Sequence, residues 1–184
     1  MTVLVLAKAP EPGRVKTRLC PPCTPEQAAA IAAAALADTL HAAAGADRVV
    51  LALDGRTTAP PGVRVVPQHG HGLADRIAAA FAAAGPGPIL QIGMDTPQAH
   101  AWLLASCLSE LDSARDPVDA VLGPAEDGGW WALGLHDPRH AGLLRAVPMS
   151  TPDTGRRTLA ALHGAGLRVR MLPALRDVDE WADA

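Results

Sequence analysis

Residues 3–19, VLVLAKAPEPGRVKTRL, join an apolar run to a loop carrying four cations, Lys8, Arg14, Lys16 and Arg18. Residues 3–6 are apolar and rich in valine and leucine, with no polar alternation. That is the pattern of a strand buried on both faces of a parallel sheet, and Pro10, Pro12 and Gly13 end it. In open α/β sheets ligands bind beyond the carboxyl ends of such strands. The prolines stiffen the loop and Gly13 permits a turn that a side chain would obstruct, so backbone amides and cations can surround an anion. Lysine usage sharpens the point, because Lys8 and Lys16 are the only two lysines against fourteen arginines. A compact ammonium suits a polyphosphate. The spacing is not that of a Walker A loop, of which only Gly13, Lys16 and Thr17 resemble the end. The plain alternative is a solvated basic loop with no ligand; its place directly after the first strand favours phosphate.

The chain is 184 residues long, a length suited to a single domain that buries roughly 70% of its unfolded surface and needs neither disulfide nor metal to fold. Phe81 is the one phenylalanine and tyrosine is absent, so the four tryptophans, Trp102, Trp130, Trp131 and Trp181, stand out. A net charge of -3, with no basic face outside the first loop, argues against a nucleic-acid surface. No apolar run reaches the ~20 residues of a membrane span, and residues 1–7 are too short for a signal peptide. A cytoplasmic location is expected. Cys20 and Cys23 form a C-P-P-C pair, but a zinc site would need a second pair and only Cys107 remains, so they are read as incidental thiols rather than a redox pair.

Thr24-Pro25-Glu26-Gln27 is a capping box with proline at the first helical position, predicting a helix to about residue 44 with Ala32, Leu36 and Leu40 as its core stripe. Strands are expected at 48–53 and 63–66. A helix follows in which Leu73, Ile77, Phe81 and Ala84 face the core, with Arg76 in its first turn. His69 and His71 lie among glycines, which reads as a polar loop rather than a metal site. Residues 88–92 form a fourth strand that delivers Asp95 to the same sheet edge as Lys8. There a carboxylate can hold a divalent ion shared with phosphate oxygens. The plain alternative is a helix-start aspartate, with Thr96 and Pro97 capping and opening a helix over 102–111. Strands at 119–123 and 130–135 flank Asp127-Gly128-Gly129, which is either an ordinary turn or an acceptor site backed by the two adjacent tryptophans. A helix over 152–163, capped by Ser150 or Thr151, and a last strand at 168–172 precede Asp177 and Asp179.

Taken in order, A-K-A-P-E-P-G-R-V-K-T-R-L, the 73–81 helix, G-M-D-T-P-Q, G-P-A-E-D-G-G-W-W-A-L-G-L, M-S-T-P-D-T and R-D-V-D cover nearly the whole chain. In these the chain resembles the nucleotide-diphospho-sugar transferase superfamily with the glycosyltransferase-A fold. It is more closely similar to the small bacterial DUF2064 proteins, relatives of 2-phospho-lactate guanylyltransferase and molybdenum-cofactor guanylyltransferase. The resemblance implies that Lys8, Gly13, Arg14, Lys16 and Arg18 hold nucleotide phosphates, with Ala7 and Arg76 beside them. It implies that Asp95 binds Mg2+ or Mn2+, that Asp179 completes the metal site with Asp177 as its competitor, and that Asp127, Gly128, Gly129 and Trp130 meet the second substrate. Lys8, Lys16 and Asp127 are the implied catalytic residues. Two departures stand out: one aspartate follows the fourth strand where many glycosyltransferases carry Asp-x-Asp, and V-D-E-W-A-D-A replaces the usual V-D-T-P-E-D-L.

The expected fold is a three-layer α/β/α sandwich with a mixed, mainly parallel sheet, its nucleotide half running to about Thr96 and its acceptor half beyond. The expected function is metal-dependent transfer from a nucleotide sugar or nucleoside triphosphate to a small acceptor of unknown identity. Glycosyl transfer is the first reading, nucleotidyl transfer to a small phosphorylated acceptor the second, and nucleotide binding without turnover the third.

Overall fold

The computed structural model describes residues 1–177. Among them one seven-stranded sheet is formed by β1 (Thr2–Lys8), β2 (Arg48–Asp54), β3 (Val63–Pro67), β4 (Ile89–Ile92), β5 (Ala120–Pro124), β6 (Trp130–Leu135) and β7 (Val169–Met171), in the order β3-β2-β1-β4-β6-β5-β7. Only β6 is reversed, running antiparallel to both of its neighbours. The helices are α1 (Pro25–Ala43), α2 (Leu73–Ala84), α3 (Ala101–Leu111) and α4 (Thr154–Gly164), with 3-10 helices at Thr17–Leu19 and Pro138–Ala146.

Alternation along the strands builds the three layers. Val3 and Val5 pack into the core under α1 and α3, whereas Leu4 packs into the opposite core with Ile77 and Phe81 of α2 and Leu162 of α4. The expected mixed, mainly parallel sandwich is the one observed. After β1 the chain steps outward to β2 and β3, then returns through α2 to β4 on the other side of β1. The direction of winding therefore reverses between β1 and β4, and such a reversal opens a crevice at the carboxyl ends of the two strands.

Local signals decide most element boundaries. The capping box forms in full: Gln27 N donates to Thr24 Oγ1 at 3.3 Å and Thr24 N donates to Gln27 Oε1 at 2.8 Å. Three expectations are corrected. Leu73 is 39% exposed rather than core, because it stands at the first position of α2 on the rim of the crevice; Ala78 and Ala80 are buried instead. Thr96 does not cap α3, which begins at Ala101 with His100 at its N-cap; turns from Thr96 O to Ala99 N and from Gln98 O to His100 N fill the interval. Helix α4 begins at Thr154 after Asp153, so neither Ser150 nor Thr151 is its cap; Thr154 Oγ1 accepts from Thr151 N at 3.0 Å and donates to Pro148 O at 3.0 Å.

Candidate active site

A cleft of about 540 Å³ occupies the crevice. Its first lip is the loop after β1. Ala9 N donates to Asp54 O at 2.7 Å, tying the loop to the end of β2, and Gly13 turns it at a φ of 76°, where a β-carbon would be strained. The turn brings Lys16 inward. Its side chain is 6% exposed and its ammonium is ion-paired with the Asp95 carboxylate at the end of β4. Arg14, which lines the cleft, pairs with Glu11 at 2.6 Å, and Arg76 pairs with Asp54 at 2.9 Å. Gln68 stitches the floor together, its Nε2 donating to Ala7 O at 2.8 Å and Ala52 O at 3.0 Å.

The second lip is the turn between β5 and β6. Asp127 Oδ1 accepts from Gly129 N at 2.8 Å, which orients its carboxylate, and Gly155 N donates to Gly128 O at 2.8 Å. The contact tolerates no side chain: a β-carbon on Gly128, whose φ is 88°, would lie 2.0 Å from Pro152 O, and one on Gly155 would lie 2.5 Å from Gly129 O. Trp130 and Trp131 are consecutive in β6 and so point to opposite faces of the sheet, beside a register shift between Gly123 and Pro124 at which Pro124 pairs with Trp130. Trp131 is 2% exposed, packs in the α1/α3 core, donates to Pro173 O at 2.9 Å and also lines the cleft. Trp130 takes the other face, lines the cleft and donates to Thr158 Oγ1 at 3.2 Å.

The cleft gathers Ala7, Lys8, Arg14, Lys16, Arg18, Arg76, Asp95, Asp127, Gly129, Trp130 and Asp177. Gly13 and Gly128 do not line it and act through the backbone they shape. Asp177 Oδ1 accepts from Thr96 Oγ1 at 3.0 Å, next to Asp95 in sequence. Asp179 lies outside the described residues. Among the described residues no group of three or more His, Cys, Asp or Glu side chains is placed to hold a metal ion; Asp95 and Asp177 are two carboxylates that the cleft itself offers, and Asp95 is occupied by Lys16. Backbone strain marks the same place. Lys16, at a φ of 50°, and Ser150, at 58°, are the non-glycine residues of positive φ among those described, and both line the cleft. Such strain persists where surrounding structure enforces it, commonly at functional sites. Sequence reasoning missed Ser150, Gln68 and Gln91. Gln91 left a visible signal, a single polar residue inside the apolar strand ILQI.

A presumed nucleotide-diphospho-sugar transferase from Desulfovibrio desulfuricans G20 is 26% identical and superposes with a TM-score of 0.86 over 97% of this chain and 82% of that one. Rv0371c of Mycobacterium tuberculosis H37Rv, in complex with manganese, is 22% identical with a TM-score of 0.60 over 99% and 95% of the two chains. A nucleotidyl transfer enzyme from Methanothermobacter thermautotrophicus is 19% identical, with a TM-score of 0.61 over 100% and 94%. The last two speak to the fold alone. No curated protein sequence matches the chain. Fold and cleft define the class, a transferase with the nucleotide-diphospho-sugar transferase fold. Within it the chain belongs to the DUF2064 family, described as uncharacterized protein conserved in bacteria, whose pattern matches residues 27–151.

Proposed function

We propose that this protein is a divalent-metal-dependent glycosyltransferase that uses a nucleotide sugar as donor and a small molecule as acceptor. The observation that carries the reading is the convergence of the cationic loop and the Asp95 carboxylate, through Lys16, at the carboxyl ends of β1 and β4. Lys8, Arg14, Lys16 and Arg18 hold the diphosphate. Ala7 and Arg76 flank the nucleotide, whose half of the domain runs to about Thr96. The acceptor enters beside Asp127, Gly129 and Trp130, where the Gly129 amide keeps the Asp127 carboxylate oriented to take a proton from the attacking hydroxyl.

The residues present fit a hard cation. Asp95 is 40% exposed, and the ammonium lying on it shows that a positive charge is satisfied there. Asp95 and Asp177, joined by phosphate oxygens and with Asp179 as a further candidate, form the oxygen-rich donor set of Mg2+ or Mn2+. The manganese complex of Rv0371c supports this choice. When bound, the ion supplies neutralisation and orientation of the phosphates. The three cysteines of the chain are free thiols, in keeping with a reducing cytoplasm.

The single aspartate after β4 and the concentration of cations in the first loop favour a second reading, nucleotidyl transfer to a phosphorylated acceptor. The nucleotidyl transfer neighbour supports it. The two reactions break different bonds: glycosyl transfer leaves the diphosphate whole, whereas nucleotidyl transfer attacks the α-phosphate and releases pyrophosphate. Titration with nucleoside triphosphates and nucleotide sugars, each with and without Mg2+ or Mn2+, followed by assay of the released phosphate species, separates them. Metal-dependent binding of a nucleotide sugar supports the first reading, and triphosphate binding with pyrophosphate release replaces it with the second.

A further inference from the structure

Gln91 stands out among the buried polar side chains of the molecule. It is 3% exposed, in the middle of β4, with Leu4 of β1 and Leu133 of β6 as its cross-strand partners. Its Oε1 has no hydrogen-bond partner. Most buried polar side-chain atoms are satisfied, and an orphan costs its full desolvation. A leucine or isoleucine, used throughout the neighbouring strands, would avoid that cost. The orphan also has a direction. Ile89 and Gln91 share a face of β4, because Leu90 and Ile92 pack on the α1/α3 side and Ile89 on the α2 side. On the α2 side the sheet is incompletely covered: Leu6, in the middle of β1, is only half-buried, and Leu6, Gln91, Ile77, Trp130 and Met149 all line the cleft.

The cleft thus carries two kinds of side chain. Its lining includes Lys16, Arg18, Asp95 and Asp177, which suit phosphates and a cation, and the apolar Leu6, Ile77, Trp130 and Met149, among which Gln91 is a carboxamide whose oxygen has no partner, whereas the Gln68 amide is held by two backbone carbonyls. We propose that Gln91 is a specificity residue, reading the hydroxyls of a neutral sugar ring seated against these apolar side chains. A carboxamide both donates and accepts, as a hydroxyl does, whereas a phosphate oxygen only accepts and is better met by the cations. Trp130, held by its bond to Thr158, supplies a fixed apolar wall of the kind on which a ring packs. The assignment rests on the nucleotide-sugar reading and deepens it, since it names the side chain that would separate one sugar from another.

The test is calorimetry on the wild type, Gln91→Met and Gln91→Leu with UDP, GDP, ADP and dTDP and with their glucose, galactose, mannose and N-acetylglucosamine conjugates, in Mg2+. Methionine matches the length of glutamine without its hydrogen bonds, so the first variant is expected to fold with a melting temperature no lower than wild type; leucine is the second, shorter replacement. The wild type should bind one conjugate more tightly than the parent diphosphate. Both variants should bind the diphosphate as the wild type does and lose about tenfold for that conjugate, the worth of one hydrogen bond to a buried group. Equal losses for diphosphate and conjugate would show that Gln91 meets the nucleoside and would overturn the assignment. So would unchanged binding of both, or a wild type that gains nothing from any sugar. If the wild type binds no diphosphate and no conjugate, the nucleotide-sugar reading itself fails and the assignment falls with it.

Discussion

The Lys16 ammonium lies on the Asp95 carboxylate, so if Asp95 holds a divalent ion as proposed, ion and lysine would compete for that carboxylate. On the same reading, nucleotide phosphates would offer Lys16 an alternative partner. Lys16→Ala should therefore weaken nucleotide binding in Mg2+ while tightening Mn2+ binding to the nucleotide-free protein. Calorimetry with each ligand alone measures both effects, and parallel losses would contradict competition. Asp95→Asn should remove the metal-dependent gain in nucleotide affinity at little cost in stability. The cap alternative no longer applies to Asp95, since α3 starts only at Ala101; thermal melts with and without Mg2+ check both halves of the statement. A third expectation concerns Cys107, whose thiol is pushed up to about 11 chiefly by burial. At pH 8 iodoacetamide should label the half-buried Cys20 and Cys23 well before Cys107, as peptide mass mapping would show. At this scale the cationic residues were legible because lysine is so sparingly used. Gln68 was not, because its partners are two backbone carbonyls on different strands and no sequence pattern encodes them.

Elements were legible wherever their signals are local. The Thr24 capping box and the apolar runs of β1, β2 and β4 each specify their own conformation. The starts of α3 and α4 were not, because turns at 96–100 and 148–154 consume residues that would otherwise cap. The opposite faces taken by Trp130 and Trp131 follow from the alternation of side chains along β6. The two loops of the second lip are locked together by the Gly128–Gly155 contact, and that contact carries a prediction. Gly128→Ala and Gly155→Ala should each cost at least about 2 kcal/mol, from a β-carbon driven into a backbone oxygen, aggravated at Gly128 by its positive φ. If the acceptor enters at this lip as proposed, either should impair acceptor use more than nucleotide binding, because the first lip is untouched. Urea unfolding and separate titrations of donor and acceptor measure this; equal effects on both ligands would show that the lips are mechanically coupled.

Across the whole molecule, the reversal of β6 is what gives the cleft its second lip. Because β6 starts where β4 ends, the turn from β5 arrives at the same sheet edge as the loop after β1, and groups more than a hundred residues apart in sequence face one volume. A ligand spanning both lips should stabilise the fold as a unit. At a hundredfold excess over Kd it adds about 2.7 kcal/mol, which at 2–4 °C per kcal/mol for a chain of this size means a rise of about 5–10 °C in Tm. A thermal scan with the bound nucleotide measures the shift, and a rise confined to a separate, later transition would indicate two independently melting halves. The tryptophans give the cleft one more property, an optical one. With no tyrosine in the chain, near-ultraviolet emission belongs to tryptophan alone, and the three in the described residues sit in three different settings: Trp102 is 69% exposed, Trp131 is buried in the wall of the cleft, and Trp130 lines the cleft half-buried. Iodide should quench the first and spare the second, while a ring arriving against the apolar side chains of the cleft should alter the third, so the protein reports occupancy of its own site without a label.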